Sequence, residues 1–408
     1  MTVKHMLIML MSLSLLLALA GCQGFGETTL KSSEGPEDSL PQTGVRIARQ
    51  DENLTLTTEW PAYASLDSTV YVVLENNSDE TVTSGSEFRL ERDMGGGEEF
   101  SWYQLELKEN IGWTAIEYVI PPGGSMAFAC NLSAYDTSLF TGGHFRIIKE
   151  MGGKTCAAEF TVSEDAPISA DAPYGFGPLE ELPGDYGAAA VSENDVVYTG
   201  NGGENETSIG TFLRKVGLGI PCQLRVVQDY GEGAAMVTDT IYENGHFLWR
   251  IWQSGYITEH RYAYVVTDGE DLYLSNGADW ENTERYHSEK TLLVPEGAAL
   301  PSAIAKVREL TAARLAGNGA RYRIWSANGE WDAMLTETPT EFGVGWQKPG
   351  EGSSGQMYDL QDWDGLETAI TGLKWQEDGK LLLNCETVDG TTSRLTFYPE
   401  TGYLTSGT

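Results

Sequence analysis

Residues Thr69 to Glu75 read TVYVVLE, and the residues Asn76-Asn77-Ser78-Asp79 follow them directly. β-Branched and aromatic residues favour extended backbone, whereas Asn, Ser and Asp favour tight turns. The stretch therefore predicts a β-strand that ends in a turn.

The same pattern recurs along the chain as far as residue 165. Short alternating segments are separated by glycine-rich or proline-rich turns, which is typical of an antiparallel β-sandwich. These segments are EFRLE at 87–91, residues 100–107 around Trp102, residues 125–132, HFRIIK at 144–149 and residues 156–162. We therefore predict that the chain is mainly β and that residues 51–165 form a β-sandwich.

This part of the sequence resembles a bacterial Ig-like domain that is common in lipoproteins of Gram-positive bacteria. The family pattern has a strand ending in L-x-N, then F-x-L-E, a Trp strand, a P-G-x-S turn and a final G-x-Y-R-I-x-K. The matching residues are Leu74, Asn76 or Asn77, Phe88, Leu90, Glu91, Trp102, Pro122, Gly123 or Gly124, Ser125, Gly142, Arg146, Ile147 and Lys149, with Phe145 at the usual Tyr position. The resemblance implies a fold and no activity.

The composition changes at residues 166–187, which contain four prolines and four glycines. Such a segment is typical of a linker, and it divides the Ig-like part from residues 188–408. In this second part we predict a short helix near 205–215 and a long helix at 301–317, each followed by antiparallel strands. The expected architecture is α+β, with helices packed on antiparallel sheets. The order of elements also indicates two similar halves, 188–290 and 295–408.

The second part also resembles an uncharacterised domain of Gram-positive lipoproteins. The matching residues are Asp195, Val196, Val197, Asn205, Phe212, Arg225, Val226, Val227, Glu232 and Gly233. A histidine of the family pattern is missing here, since Thr199-Gly200 stands in its place, and Ala234 replaces an Asp. The resemblance carries no activity to this chain.

The N-terminus has the pattern of a secretory signal. An apolar run from Met6 to Leu19 follows Lys4 and His5, and Leu19-Ala20-Gly21-Cys22 comes next. The run is short for a membrane-spanning helix and ends in small residues. The final four residues resemble the lipobox of bacterial lipoproteins, which implies a signal peptide at 1–21, a lipid on Cys22 and a polar tether at 22–50. The alternative is an ordinary signal peptide with a chance cysteine.

This placement bears on the other four cysteines, which are Cys130, Cys156, Cys222 and Cys385. Cysteines of exported proteins form disulfides more often than those of cytosolic proteins. The simplest pairing is 130–156 and 222–385, because each pair lies within one part of the chain. Four buried thiols are an equal alternative.

Composition excludes one class of partner. The chain of 408 residues has 26 Lys and Arg against 60 Asp and Glu, a formal net charge of −34. A nucleic-acid-binding protein needs a basic face, so we expect no nucleic-acid partner. The hydrophobic content of 41% is high enough to build folded cores.

No catalytic or metal motif stands out. The sequence contains no HExxH, G-x-S-x-G or S-x-x-K, and we expect no cofactor and no metal. Asp362-Trp363-Asp364-Gly365 is similar to part of a calcium loop, but Leu360 occupies the first ligand position. This comparison favours a solvated turn.

Tryptophans are the remaining signal, because eight of the eleven lie beyond residue 240. They form either core packing or an exposed platform for a glycan or peptide, with Trp249, Trp252 and Trp363 as the candidates. We therefore predict a lipid-anchored protein on the outer face of the cell membrane, acting as a non-catalytic binding module for an extracellular protein, peptide or glycan. The alternative prediction is a hydrolase of cell-surface glycans.

Overall fold

The computed structural model describes residues 53–95, 101–187, 192–231, 235–253, 255–317, 319–347, 353–361, 363 and 365–406. It is mostly β, as predicted. The predicted signal peptide and tether lie outside the described residues. Among the residues that are described, no helix is long and apolar enough to cross a bilayer.

The first part is built from two sheets. The first has the order β1-β3-β8, and the second has the order β2-β10-β9-β4-β7, with β5 pairing to both β9 and β6. The strands are β1 (Leu54–Thr58), β2 (Ala62–Tyr63), β3 (Thr69–Asn76), β4 (Val82–Gly85), β5 (Arg89–Asp93), β6 (Trp102–Gln104), β7 (Glu117–Ile120), β8 (Ser125–Asn131), β9 (Gly143–Met151) and β10 (Lys154–Val162). The opening strand prediction is confirmed by β3, whose turn is fixed by Asn76, with its side-chain amide donating to the carbonyls of Glu80 and Ile120.

The two motif segments of the Ig-like pattern meet in the second sheet of the first part. Glu91 on β5 is paired with Arg146 on β9, and the Arg146 Nε lies 2.8 Å from Glu91 Oε2 in the buried interior. The Arg146 guanidinium also lies 4.1 Å from the ring centre of Trp102. Lys149 is buried too and donates to the carbonyls of Gly85 and Glu87, at 2.9 Å each. These charged motif residues connect β9 with neighbouring strands and turns of the second sheet.

The second part begins with a six-stranded sheet of order β12-β11-β13-β14-β15-β16. Asn244 and Gly245 both have positive φ, 52° and 76°, and form the tight hairpin turn between β14 and β15 that their sequence predicts. The strands are β11 (Val196–Thr199), β12 (Gly202–Glu204), β13 (Cys222–Asp229), β14 (Met236–Glu243), β15 (His246–Gln253) and β16 (Tyr256–Tyr262).

Two helices cover one face of this sheet, which we call the inner face. They are α1 (Thr207–Gly217) and α3 (Pro301–Ala316). Phe212 of α1 and Val307 of α3 share one buried core with Val226 of β13. Both helices are close to prediction, although α1 begins after Glu206. Asn205, the predicted N-cap, has a φ of 58°, and its side chain instead donates to the carbonyls of Glu193 and Asp195.

The opposite, outer face is crossed by residues 173–187, which we call the strap. Leu179 and Tyr186 of the strap are buried against Val227, Val237 and Trp252 of the sheet. The strap includes a 3-10 helix at Leu179–Glu181. The segment predicted as a linker therefore contributes its own apolar residues to a core.

A charged row runs across the outer face beneath the strap. Arg225, Asp239, Arg250 and Glu259 are cross-strand neighbours on β13, β14, β15 and β16, so their charges alternate. Arg225 and Asp239 are buried, with Nε and Oδ1 2.7 Å apart, and Arg225 also donates to the carbonyl of Gly177 in the strap. The strap is thus held by polar bonds as well as apolar packing.

A three-stranded sheet of order β17-β18-β19 follows. Its strands are β17 (Tyr264–Asp268), β18 (Asp271–Ser275) and β19 (Lys290–Leu292), with α2 (Trp280–Arg285) between the last two. Leu272 and Leu274 of β18 join the core beneath the helices. The long helix α3 packs on this core and on α1.

The chain ends in two four-stranded antiparallel sheets. One core unites them, with Phe342 and Phe397 5.4 Å apart between ring centres. The described strands are β20 (Tyr322–Trp325), β21 (Trp331–Leu335), β22 (Glu341–Trp346), β23 (Ser354–Asp359), β24 (Thr368–Trp375), β25 (Leu381–Thr387), β26 (Thr392–Tyr398) and β27 (Tyr403–Ser406). No helix packs in the described part of this core, which is therefore a β-structure rather than a helix on a sheet.

The two parts of the chain touch through polar contacts. Lys215 of α1 lies 2.8 Å from Glu59, and both side chains are largely buried. The Lys215 ammonium also lies 4.1 Å from the ring centre of Trp60. Burial raises the pKa of Glu59, and the Lys215 charge opposes that rise.

Candidate functional site

The three tryptophans predicted as a ligand platform lie in three different places. Trp252 is buried at 3% exposure beneath the strap. Trp363 is half-buried against the C-terminal core. Trp249 is half-buried on the inner face of the six-stranded sheet. Trp249 and Trp252 face opposite sides, as predicted from their spacing, but the strap covers Trp252. Trp249 and Trp363 each line a depression of their own, so a ligand platform at either stays a prediction.

Trp249 lies in a groove of about 510 Å³ at the edge of the inner face, where the helices no longer cover the sheet. We call it the Trp249 groove. One wall is the sheet surface, and the other is the segment 291–296. The sheet wall consists of Gln228, Tyr230, Met236, Thr238, Trp249 and Ile251. Aromatic and apolar surface with a few polar groups is typical of ligand sites.

Register explains how the sheet wall forms. Trp249 pairs with Thr240, Ile251 with Thr238, and Met236 with Gln228, so these side chains share one face. The rigid β14–β15 hairpin places Trp249 and Ile251 side by side.

The other wall presents an open strand edge. β19 is the last strand of its sheet, and in the described part of the chain it pairs only with β18. The Leu293 N–H donates to the Leu272 carbonyl, 2.9 Å away, so the backbone of Leu293 is turned toward β18. Alternate residues of a strand direct their N–H and C=O groups to opposite sides. The backbone of Leu292, the last residue of β19, is accordingly turned away from β18.

The Trp249 indole also lacks a hydrogen bond. Its Nε1 is buried and has no partner among the described residues. A buried donor without an acceptor costs free energy, and buried Trp N–H groups usually find a partner. The indole N–H is therefore a donor that the described residues leave unused.

The family comparison adds a finding on the first part of the chain. Residues 50–163 match a bacterial Ig-like domain. The predicted resemblance is confirmed for this domain. The buried Glu91–Arg146 pair lies within it, on the F-x-L-E and R-I-x-K segments that carried the resemblance.

Comparison with solved structures gives weak likenesses only. A Lactobacillus plantarum protein is 11% identical with a TM-score of 0.20, over 80% of this chain and 82% of that one. A periplasmic gluconolactonase of Pseudomonas aeruginosa is 11% identical with a TM-score of 0.19, over 78% and 81%. A β-glucosidase of Erythrobacter marinus is 14% identical with a TM-score of 0.17, and this chain spans only 15% of its length. TM-scores this low establish no shared fold. No curated protein matches the sequence.

The four cysteines do not form the predicted disulfides. All four side chains are buried thiols. Cys222 lies in the core under the helices and Cys385 in the C-terminal core, so the 222–385 pair belongs to two separate cores. In the Ig-like domain, Cys130 and Cys156 lie on strands of different sheets, and the Cys156 Sγ is 3.9 Å from the Leu54 carbonyl. The alternative of buried thiols describes the structure.

Two further predictions fall on residues that are not described. Cys22 is one, and the acidic pair Asp362 and Asp364 is the other. Across the described ranges, no group of three or more His, Cys, Asp and Glu side chains is arranged to hold a metal ion.

Sequence reasoning missed most of the groove. Of its sheet wall, only Trp249 was selected, because a single tryptophan is a recognisable signal and Met236 or Ile251 is not. The Asn244-Gly245 turn fixes the register of β14 and β15. Counting outward from it along both strands predicts that Thr238 pairs with Ile251 and Thr240 with Trp249. The opposite wall depends on where β19 lies relative to another sheet, which no local pattern predicts.

Proposed function

We propose that this protein is a non-catalytic binding module on the outer face of the cell membrane, anchored through a lipid on Cys22. The apolar run followed by Leu19-Ala20-Gly21-Cys22 supports the export and the anchor. The proposal includes an origin in Gram-positive bacteria and an α+β second part, supported by α1 and α3 packing on the six-stranded sheet.

The ligand that fits the Trp249 groove best is an extended peptide segment of a partner protein. The observation that carries this proposal is the open edge of β19 along one wall of the groove. A peptide can add to such an edge as a further strand, gaining main-chain hydrogen bonds while alternate side chains enter the groove. The carbonyl or hydroxyl oxygens of the same peptide can accept from the Trp249 indole.

Charge favours a basic partner. Glu296 lines the groove, and the whole chain has a formal net charge of −34. Charge of this sign steers cationic partners toward the protein and repels acidic ones. We therefore expect the bound segment to combine apolar residues, at alternate positions, with Lys or Arg.

The test uses the full chain in detergent and a library of immobilised ten-residue peptides. Peptides that alternate apolar and basic residues are expected to bind, and their affinity should fall at least tenfold for Trp249→Phe, which removes the indole N–H from the groove. Trp113→Phe is the matched control, because Trp113 packs on Phe88 in the Ig-like domain, away from the groove.

A second arm replaces the peptides with oligosaccharides. Binding of oligosaccharides and no peptides in the same groove would overturn the peptide assignment. Hydrolysis of the oligosaccharides would replace the binding module with the alternative hydrolase. Equal affinity of the Trp249→Phe and Trp113→Phe variants would remove the groove from the proposal.

A further inference from the structure

A second cavity, of about 410 Å³, lies at the far end of the outer face, where the strap begins. We call it the junction cavity. Its floor is apolar, formed by the cross-strand neighbours Ile241 on β14 and Leu248 on β15. Tyr174 of the strap forms a wall, and burial raises the pKa of its phenol, which therefore stays neutral.

Two groups of opposite charge line the junction cavity. Arg261 on β16 is half-buried, and its Nη1 donates to the Ala327 carbonyl at 2.9 Å. Glu243 at the end of β14 is exposed. Neither side chain forms an ion pair with any described residue, although the chain has more than twice as many acidic as basic residues.

The register sets the distance between these charges. Glu243 pairs with His246, Leu248 pairs with Arg261, and the two pairs are two residues apart along β15. Glu243 and Arg261 are separated by two strand spacings across the sheet and by two residues along it. Their Cα atoms are therefore about 12 Å apart. Their side chains reach into one cavity from opposite sides, so a ligand between them needs separated charged ends.

His246 lies between the two charges and is rigidly held. Its ring stacks on Trp325 with centroids 4.7 Å apart, and the Arg323 guanidinium lies 4.4 Å from the centre of that Trp325 ring. His246 itself lines the cavity, and a backbone hydrogen bond with Asn244 acts on its imidazole. The ring therefore forms a polar part of the wall between the two charges.

We propose that the junction cavity binds a short peptide of two or three residues with free termini and apolar side chains. Arg261 receives the terminal carboxylate, and Glu243 receives the terminal ammonium. Ile241, Leu248 and Tyr174 contact the apolar side chain, and the His246 ring lies between the two charged ends. This site is independent of the Trp249 groove, which takes a segment within a longer chain.

The test is calorimetric titration of the full chain in detergent with the dipeptide Leu-Leu, compared with N-acetyl-Leu-Leu-amide. The blocked peptide has the same side chains and no charged ends. Leu-Leu is expected to bind at least tenfold more tightly, because charge-assisted hydrogen bonds are stronger than neutral ones.

Variants assign the two ends. Arg261→Gln and Glu243→Gln should each weaken Leu-Leu binding at least tenfold and leave the weak binding of the blocked peptide unchanged. Arg261→Lys, which keeps the charge, should recover part of the affinity. Arg308→Gln is the matched control, because Arg308 is an exposed arginine on α3 that likewise donates to a backbone carbonyl, that of Gly269.

Equal affinity for the free and blocked peptides would overturn the proposal, as would full Leu-Leu affinity in folded Arg261→Gln. Circular dichroism of each variant separates lost binding from lost folding. Trp249→Phe should leave Leu-Leu binding unchanged, so failure of the groove proposal and failure of this one are distinguishable.

Discussion

Arg146 and Glu91 form an ion pair inside the Ig-like domain, at 6% and 1% side-chain exposure. They are the charged residues of two sequence segments 55 positions apart, and they meet on paired strands β9 and β5. A buried pair contributes little net stability compared with apolar residues, but breaking one costs much. The motif is thus a constraint on strand pairing within the domain.

We therefore expect Arg146→Met to lower the free energy of unfolding of the Ig-like domain by about 3–5 kcal/mol, because Glu91 is left buried and unpaired. Urea unfolding followed by circular dichroism measures it. Arg89→Met is the control, since Arg89 pairs with Glu150 at the surface, where such pairs contribute at most about 1 kcal/mol. Equal losses in the two variants would contradict the central role of the buried pair.

The four buried cysteines should resist alkylation in the native protein. Burial raises the pKa of Cys130 and of Cys385 to about 12 and raises that of Cys222 further, and the thiolate is the reactive form. We expect slow labelling by iodoacetamide at pH 8 and complete labelling at all four positions in denaturant without reductant. Peptide mapping by mass spectrometry locates the label. A pair labelled only after reduction would restore the disulfide prediction.

Stability should fall in mild acid because of His246. Burial lowers its pKa from 6.5 to about 4, and the nearby charges of Arg261 and Arg323 act in the same direction, while a backbone hydrogen bond with Asn244 and the charge of Asp332 oppose them. The unfolded chain therefore binds a proton below pH 6.5 that the folded protein takes up only near pH 4, so stability is lost between these values as pH falls. The loss from this group is at most about 3 kcal/mol.

His246→Phe tests that assignment, because phenylalanine keeps a ring against Trp325 and cannot titrate. Thermal unfolding of the variant between pH 7 and pH 4 should decline less steeply than that of the unmodified protein. His260 provides the comparison, since it is exposed on β16, and His260→Phe should retain the original pH dependence. If the thermal stability of His246→Phe declined with pH as steeply as that of the unmodified protein, His246 would not be the source of the acid sensitivity.

Leu179 should anchor the strap. It is 1% exposed, against Val227, Val237 and Trp252, and truncating a buried leucine costs about 2–5 kcal/mol. Leu179→Ala is expected to destabilise the protein by that amount and to speed proteolysis within residues 173–187. The exposed neighbour Glu181→Ala should do neither. A strap that is cut equally fast in both variants would show that Leu179 does not hold it.

Local chemistry predicted several elements closely. The Asn244-Gly245 turn, the strand at residue 69 and the helix beginning at Pro301 each follow from residues adjacent in sequence. The Ig-like domain was recognisable because its buried charges are unusual residue types at fixed spacing.

Long-range contacts account for what was missed. Prolines and glycines predicted a linker at 166–187, but they say nothing of Leu179 and Tyr186, whose burial depends on a sheet formed later in the chain. The sequence allowed Trp252 to be exposed, but the strap covers it in the structure. The packing partners of α3 could not be predicted either, because its apolar residues can pack on any apolar sheet surface. In the structure they share a core with the apolar residues of β18.

The strap has a consequence for proteolytic shedding. Residues 164–172, which precede the strap, join the Ig-like domain to the rest of the chain by a single backbone connection. A cut there would leave the strap bound to the sheet through Leu179 and Arg225. The Ig-like domain would keep the residues that contact Lys215, among them Glu59. A single cleavage there would therefore break the covalent link between the two parts and leave the strap in place on its sheet.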